Sequence, residues 1–251
     1  TAPECVVTAV VRMDTVLGVD LGQPPPRAPR RPPQPLTCPH ASPLGPADLQ
    51  ARPSGALYWP AAGLLCVSDL HLGKSERLAR RGGALLPPYE TRATLERLDA
   101  ELEATGARQV VCLGDSFDDL AAAEALAEGD RLWLARMMAG RQWHWIEGNH
   151  DPGPAGLGGS LRAELRLAPL TFRHQGGGAG FEISGHFHPK ARLAGQSRPC
   201  FLTDGQRLIL PAFGTYTGGL WAQDAALWAL MGDRARAILT GTRCRVIPMP
   251  R

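Results

Sequence analysis

The stretch Gly148-Asn149-His150-Asp151 follows an apolar, aromatic run from Trp143 to Ile146. Such a run predicts a buried strand. Pro152 and Gly153 come next and predict a loop, so the polar side chains of the stretch belong to the carboxyl end of that strand. Open α/β sheets hold their functional sites at this end. The sequence therefore predicts an α/β sheet with a polar site beyond this strand.

Three further polar motifs also follow apolar runs. They are Asp69-Leu70-His71, Gly114-Asp115 and Gly185-His186-Phe187-His188, and His174 ends another short run. Only seven histidines occur in the chain, and five of them belong to these strand-end positions. The full candidate set is Asp69, His71, Asp115, Asn149, His150, His174, His186 and His188.

The chemistry of this set is that of a divalent metal site. Imidazole, carboxylate and amide groups suit manganese, iron or zinc, and no thiolate is offered. Two metals about 3.5–4 Å apart need a bridging carboxylate with ligands on both sides. Seven ligands with Asp115 as the bridge would satisfy that requirement.

Composition sets the broad class of protein. The chain has 251 residues, 44% of them apolar and 20% charged, which is typical of a globular protein with a full core. The net charge of +3 permits a polyanionic substrate without identifying one. The six cysteines form no C-x-x-C pair, which favours a reducing, cytoplasmic compartment. No apolar stretch reaches membrane-spanning length, so we expect no membrane partner.

The chain divides into two parts by composition. Residues 1–47 are rich in Pro and Arg and predict a disordered extension, whereas residues 48–251 predict one folded domain. Within the domain, the order is β-α-β-α-β first and mostly β later, which indicates an α/β domain with a mixed or second sheet. Ala56–Trp59 is predicted as an edge strand, and Asp130 as the N-cap of a helix.

Four of the motifs carry a resemblance to a known family. D-L-H, G-D-S-F-D-D, G-N-H-D and G-H-F-H, in this order, resemble the calcineurin-like metallophosphoesterase superfamily. Longer stretches resemble the ligase-associated DNA-damage-response endonucleases. These are W-P-A-A-G-L-L-C-V-S-D-L-H-L-G-K-S, A-R-R-G-G-A-L-L-P-P-Y-E-T-R, L-G-D-S-F, P-L-T-F-R-H and L-P-A-F-G-T-Y-T-G-G-L. The resemblance begins near Gly55 and leaves the preceding residues unexplained.

The resemblance implies a fold and a set of residue roles. The implied fold is a four-layer αββα sandwich with two mixed β-sheets. One metal would be bound by Asp69, His71 and His188, the other by Asn149, His174 and His186, with Asp115 as the bridge. A metal-bridging hydroxide would attack phosphorus in line. His150 would protonate the leaving oxygen or help to hold the transition state, and Asp151 would orient His150.

The resemblance also implies a substrate and partners. The expected protein is a metal-dependent hydrolase, a DNA endonuclease acting on single-stranded or flap DNA in DNA repair. A DNA ligase and a helicase-like protein would be its partners. Lys74, Arg80 and Arg81 follow the D-L-H motif and are candidates to contact substrate phosphate, although a solvated helix face is an equal alternative.

One residue departs from the family pattern. Asp118 stands where G-D-S-F-H-D would place a histidine. A carboxylate facing the substrate would repel phosphate. Either Asp118 points away, or rate and substrate preference differ from those of the family. From this departure we hypothesise weaker nuclease activity.

Two other functions remain open from the residues alone. A phosphatase or phosphodiesterase of small nucleotides or other phosphoesters would use the same dinuclear site. A scaffold that binds partners on the same fold would be expected to have lost ligands, yet the seven predicted ligands are present. Metal content after purification would separate the scaffold from both enzymes.

Overall fold

The computed structural model describes residues 41–44, 46–80, 82, 89–150 and 156–250. The predicted extension lies outside the described residues as far as residue 40, so its disorder stays a prediction. The described residues form strands and helices in an alternating first half and a mostly β second half.

The first sheet is built from the N-terminal half of the described chain. Its strands are β1 (Ala41–Leu44), β2 (Ala47–Ala51), β3 (Leu57–Trp59), β4 (Leu64–Val67), β5 (Gln109–Leu113), β6 (Gln142–Ile146) and β7 (Ser160–Arg162). Among the described residues the sheet has seven strands, ordered as in the sequence. The pairs from β1 to β4 are antiparallel, and those from β4 to β7 are parallel.

The second sheet is built from the C-terminal half. Its strands are β8 (Glu164–Leu167), β9 (Leu170–Arg173), β10 (Phe181–Ser184), β11 (Lys190–Leu193), β12 (Gln196–Thr203), β13 (Arg207–Ile209), β14 (Arg236–Leu239) and β15 (Arg245–Pro248). The order is β15-β14-β12-β13-β10-β9-β8, and β11 pairs with β12. β10 is parallel to β9 and to β13, while the other pairs are antiparallel, so this sheet is also mixed.

Helices connect the strands. They are α1 (Lys74–Arg80), α2 (Glu90–Thr105), α3 (Leu120–Glu124), α4 (Glu128–Met138) and α5 (Ala225–Leu230), with a 3-10 turn at Pro60–Ala62. The predicted N-cap at Asp130 is wrong, because α4 begins at Glu128 and Asp130 lies in its first turn. A carboxylate there favours the positive end of the helix dipole without capping it. None of the helices in the described ranges is both long and apolar enough to cross a membrane.

Three apolar clusters separate four layers. One lies between the two sheets, where Leu64 and Cys66 of β4 meet residues such as Phe172 of the second sheet. The other face of β4 presents Leu65 and Val67 to α2 and α4. On the far side, α5 covers the outer face of the second sheet. The order helix, sheet, sheet, helix confirms the predicted four-layer sandwich with two mixed sheets.

The sheet starts before the predicted domain boundary at residue 48. β1 and the first residue of β2 precede it, and Leu44 of β1 is fully buried. Pro43 lies in the Pro-rich stretch that was predicted to be disordered, yet proline is tolerated in an edge strand because one side of such a strand makes no ladder hydrogen bonds. The prediction that Ala56–Trp59 forms the edge is likewise wrong, since β3 lies between β2 and β4.

Candidate metal centre

The site forms where loops leave the parallel strands of the first sheet. Strand pairing continues past the ends of β4 and β5, since the amide of His71 donates to the carbonyl of Asp115 over 2.9 Å, and that of Leu72 to Ser116 over 3.0 Å. Loops after β9 and β10 of the second sheet are joined in the same way, with Gly185 N–H donating to His174 C=O over 2.9 Å. Loops from both sheets therefore contribute polar residues to the same site.

The first group of candidate ligands contains Asp69, His71 and His188. One ligand atom from each lies within 4.8 Å of the others. Nε2 of His188 is 3.1 Å from Oδ1 of Asp69. Asp69 is fully buried, and His71 is nearly so. This group joins the loop after β4 to the loop after β10.

The second group contains Asp115, His174 and His186, again within 4.8 Å of one another. Asn149 joins them through Oδ1, which is 2.8 Å from His174 Nε2 and 2.9 Å from His186 Nδ1. Nδ1 of His186 is 3.1 Å from Nε2 of His174. Two imidazoles, one carboxylate and one amide oxygen therefore lie close together.

The two groups adjoin each other. Oδ1 of Asp69 lies 3.8 Å from Nδ1 of His174, and Oδ2 of Asp69 accepts a hydrogen bond of 3.0 Å from the amide of His186. Asp115 lies with the second group, where Oδ2 is 3.5 Å from His174 Nε2. Its bridging role stays a prediction. The seven predicted ligands thus lie together at the carboxyl ends of strands from both sheets.

Several ligand atoms in the first group are buried without a hydrogen-bond partner among the described residues. They are Oδ1 of Asp69, Nε2 of His71 and Nε2 of His188, and the first and last of these lie 3.1 Å apart without the geometry of a hydrogen bond. Buried polar atoms are normally satisfied, and an unsatisfied one costs about 1–3 kcal/mol. A divalent cation would satisfy all three at once, and their nitrogen and oxygen chemistry suits manganese, iron or zinc. The residues present therefore fit a metal.

The backbone of the site is strained. Positive φ angles between 45° and 70° occur at five of the seven predicted ligands, namely Asp69, His71, Asp115, His186 and His188. A residue other than glycine in this left-handed region costs about 1–3 kcal/mol and persists where surrounding structure enforces it. Such residues cluster at functional sites. The ligands are therefore held in place by the fold.

Two glycines let the backbone approach the ligands. A Cβ at Gly185 would overlap Oγ of Ser68 and Oδ2 of Asp69. A Cβ at Gly148 would overlap the backbone and carboxylate of Asp115. The glycines of the G-H-F-H and G-N-H-D motifs are thus required by close packing against a ligand carboxylate.

Burial and neighbouring charges together shift the pKa values of three candidate ligands. Burial raises the pKa of Asp69, but the proximity of His188 and His174 outweighs it and lowers the pKa overall. Burial lowers the pKa of His188, and the Asp69 carboxylate more than compensates and raises it. Burial and the neighbouring His174 lower the pKa of His186. A neutral His186 keeps a nitrogen lone pair, as a metal ligand requires.

Asp118 points away from the open side of the site. It is buried, with Oδ1 3.0 Å from Nδ1 of His71 and Oδ2 paired with the guanidinium of Arg77. Burial raises its pKa, while His71 and Arg77 lower it to about 2 overall. Of the two alternatives drawn from the sequence, the structure shows the first, because this carboxylate faces a ligand histidine and an arginine.

His150 lies at the solvent side of the site and is exposed. Its ring centroid is 5.3 Å from that of His71, nearly at right angles. Its amide donates to Oδ1 of Asp115 over 2.8 Å, which fixes the loop after β6. Asp151, its predicted partner, lies outside the described residues. His144 is separate from the site, with Nδ1 2.8 Å from Oγ of Ser160.

The predicted phosphate contacts differ in their surroundings. Arg80 donates to both carboxylate oxygens of Asp119, over 2.9 and 3.2 Å. Lys74, at the start of α1, has no ion pair within the described part of the chain. Arg81 lies outside it. The arginine that supports the site is Arg77, which the sequence analysis did not single out.

The backbone contact that supports the His188 ring was not predicted from the sequence. Nδ1 of His188 lies 3.3 Å from the carbonyl of Gly218, in a loop that packs on α2. Oγ1 of Thr94 in α2 is 3.2 Å from Oγ1 of Thr215 and also accepts from the Thr215 amide. The T-Y-T-G-G-L motif covers this loop, but its contact with α2 joins residues far apart in sequence.

Comparison with known proteins agrees with this geometry. The family model described as calcineurin-like phosphoesterase matches residues 63–219, which is more than half of the chain. Nuclease MPE of Pseudomonas putida, a solved structure, is 33% identical to this chain with a TM-score of 0.63. The match covers 80% of this chain and 95% of that one. Among curated proteins, no significant match is found.

Proposed function

This chain belongs to the calcineurin-like phosphoesterase family, and from that premise we propose that it is a two-metal DNA endonuclease that cuts single-stranded or flap DNA. The family and the nuclease neighbour both support a metal-dependent hydrolase, and the proposal adds the substrate and the type of cut. The observation that carries the proposal is the pair of adjoining ligand groups, one around Asp69 and the other around Asp115.

The proposed metals are two manganese ions, with iron or zinc as alternatives. Bound divalent ions neutralise phosphate oxygens and lower the pKa of a coordinated water, which makes a nucleophile at neutral pH. Asp69, His71 and His188 would hold one ion, and Asn149, His174 and His186 the other, with Asp115 between them. The mixture of imidazole, carboxylate and amide donors favours borderline to hard cations.

His150 is the proposed general acid. It is exposed beside His71, while its backbone is anchored to Asp115. A side chain in this place can reach a phosphate at the site without serving as a buried ligand. General acid catalysis by such a group contributes about 10²–10⁴-fold in rate. Asp151 would orient the ring, as proposed from the sequence alone.

DNA is the proposed substrate because the structural relative is a nuclease. Identity of 33% over most of both chains supports a shared substrate class. The role in DNA repair, with a DNA ligase and a helicase-like protein as partners, extends the proposal on family resemblance. A reducing, cytoplasmic setting is also proposed, and it is supported by the buried free thiols of Cys66 and Cys200.

Cleavage of circular single-stranded DNA with added Mn²⁺ tests the proposal. A circle has no ends, so only an endonuclease can linearise it. We expect the parent protein to cut the circle and the His150→Ala variant to lose about 10²–10⁴-fold in rate. Metal content of the variant, measured by mass spectrometry, should equal that of the parent.

Hydrolysis of a phosphomonoester, measured in parallel, distinguishes the endonuclease from a phosphatase. Turnover of the monoester without any DNA cleavage would overturn the endonuclease and favour a phosphatase of small substrates. Absence of bound metal in the purified, manganese-supplied protein would contradict both enzymes.

A further inference from the structure

A pair of cations lies beside the metal centre on β11. Lys190 and Arg192 are two residues apart on this strand, so their side chains leave the same face. The intervening Ala191 is fully buried on the opposite face, with Leu193 in the same apolar cluster. At about 3.3 Å per residue, the two backbone positions lie about 6.6 Å apart.

Both cations lie close to one aromatic ring. Nζ of Lys190 is 4.7 Å from the centroid of the Trp221 ring, and the guanidinium carbon of Arg192 is 5.0 Å from it. The backbone fixes this arrangement, because Lys190 N–H donates to Leu220 over 2.9 Å and its carbonyl accepts from Ala222 over 2.8 Å. The face of a tryptophan ring attracts a cation, so the ring restricts the positions of both long side chains.

This cluster has no counter-ion within the described ranges. Neither Lys190 nor Arg192 has a carboxylate oxygen within 4.0 Å, whereas many other arginines of the chain are paired. Two like charges held together repel each other. The fold therefore assembles a positive pair that an anionic ligand would neutralise.

Lys190, the first residue of the pair, shares a cavity of about 280 Å³ with His188 of the candidate metal centre. Residues that line the cavity include His188, Lys190, Ser197, Pro199, Thr217 and Gly218. The same wall therefore holds a proposed metal ligand and the first cation. Arg192 continues the strand beyond the cavity and is exposed.

We propose that Lys190 and Arg192, aligned by Trp221, bind phosphates of the DNA strand next to the phosphate that is cut. The inference rests on the proposed function and adds a path for the substrate, from His188 along β11. Cationic side chains neutralise backbone phosphates without reading sequence. The protein should therefore prefer an extended single strand to a small phosphodiester, with no base preference from this contact.

The test is binding of a fluorescent oligothymidylate to the manganese-loaded His150→Ala protein, measured by anisotropy at several salt concentrations. Adding Lys190→Ala and Arg192→Ala should weaken binding at least tenfold. Each phosphate contact on a single strand contributes about 0.7 to the salt slope, so the slope should become shallower by about 1.4. Trp221→Leu, which retains both charges, should weaken binding by a smaller factor.

The matched control is Arg243→Ala with Arg245→Ala, since these arginines line a different cavity together with Arg198. This control variant loses the same number of positive charges. Its affinity for the oligothymidylate and the salt dependence of its binding should equal those of the His150→Ala protein. If both double variants lose affinity equally, the loss reflects only the lower net charge of the protein, and the inference is overturned. Unchanged affinity of the Lys190/Arg192 variant would also overturn it.

Assays of DNA cleavage and of a small phosphodiester test this inference separately from the proposed function. With His150 restored, the Lys190/Arg192 variant should raise KM for single-stranded DNA and leave hydrolysis of bis(p-nitrophenyl) phosphate unchanged. If the parent cuts DNA and the variant cuts equally well at low DNA concentration, only the binding path is wrong. If the parent neither binds nor cuts DNA, both proposals are wrong. Thermal unfolding of each variant checks that the β11–β12 hairpin is retained.

Discussion

Oδ1 of Asp118 lies 3.0 Å from Nδ1 of His71, which leaves Nε2 of the imidazole as the nitrogen that faces the candidate metal. The guanidinium of Arg77 contacts the other oxygen of the same carboxylate. A carboxylate behind a ligand histidine fixes the ring and raises its basicity. The residue that departs from the endonuclease pattern is therefore part of the support of the first ligand group.

Asp118→Asn should weaken manganese binding about 10–100-fold, because the loss of charge behind His71 makes the imidazole a poorer ligand. Competition with a fluorescent chelator would measure the affinity. Asp119→Asn is the control, since Asp119 caps α3 and contacts Arg80 instead of a ligand. Asp118→His should lower turnover too, as it places imidazole beside Arg77. A gain in DNA cleavage would restore the idea that Asp118 limits activity.

His188→Ala should reduce bound manganese from about two ions per chain to about one, because it removes a ligand of the first group alone. Mass spectrometry of the dialysed protein would count the ions. His144→Gln is the control, since this histidine contacts Ser160 and not a ligand. Full metal content in the His188 variant would remove this residue from the ligand set.

Gly185→Ala should abolish metal binding and lower stability by about 2 kcal/mol or more, because the new Cβ would overlap Ser68 and Asp69. Gly129→Ala is the opposite case, because nothing lies within 4 Å of a Cβ there and the residue lies in the first turn of α4. That change should stabilise the protein by about 0.4–1 kcal/mol, because alanine restricts the unfolded chain more than glycine does. Urea unfolding would measure both. A Gly185 variant as stable as the parent would contradict the close packing.

Asp204 should make stability depend on pH. Burial raises the pKa of its carboxyl, but the amides of Arg207, Gly232 and Gln206 lower it overall from the ordinary 3.8. A lowered pKa means that the stabilisation is present above pH 3.8 and is lost as the pH falls below it. Asp204→Asn should therefore cost about 0.5–1 kcal/mol at pH 7, a value reduced by solvent screening of this partly exposed carboxylate, and progressively less below pH 4.

Thermal unfolding of the metal-free protein between pH 7 and pH 3 would test this dependence. Glu96→Gln, an exposed change on α2, supplies the control and should stay within about 0.5 kcal/mol throughout. A difference between parent and Asp204→Asn that is constant with pH would contradict the role of the charge.

Much of the fold was predictable because its central strands are buried on both faces. β4, β5 and β6 appear as apolar runs, and the polar residue after each run marks where the strand ends. The start of the first sheet was not predictable, because Pro43 lies in a Pro-rich stretch that predicts disorder and only its edge position makes it acceptable. The start of α4 was missed because Ala127, its N-cap, has no capping side chain.

The candidate ligands were predictable for the same reason, as each follows a strand. The role of Asp118 was not, because it depends on how the loops after β4 and β5 pair. The amide of Asp118 donates to the carbonyl of Leu72 over 3.0 Å, and this register sets its side chain against His71. Trp221 was missed because its contact with Lys190 arises from a bridge between segments that no local pattern connects.

Each ligand group takes residues from both halves of the chain, and His188 is the last candidate ligand in sequence order. A chain still emerging from the ribosome therefore lacks a member of the second group until His186 has left the exit tunnel, and a member of the first group until His188 has left it. The metal site would therefore be completed only after the first sheet and part of the second sheet have been translated, and truncated products that end before His186 would lack a member of each group.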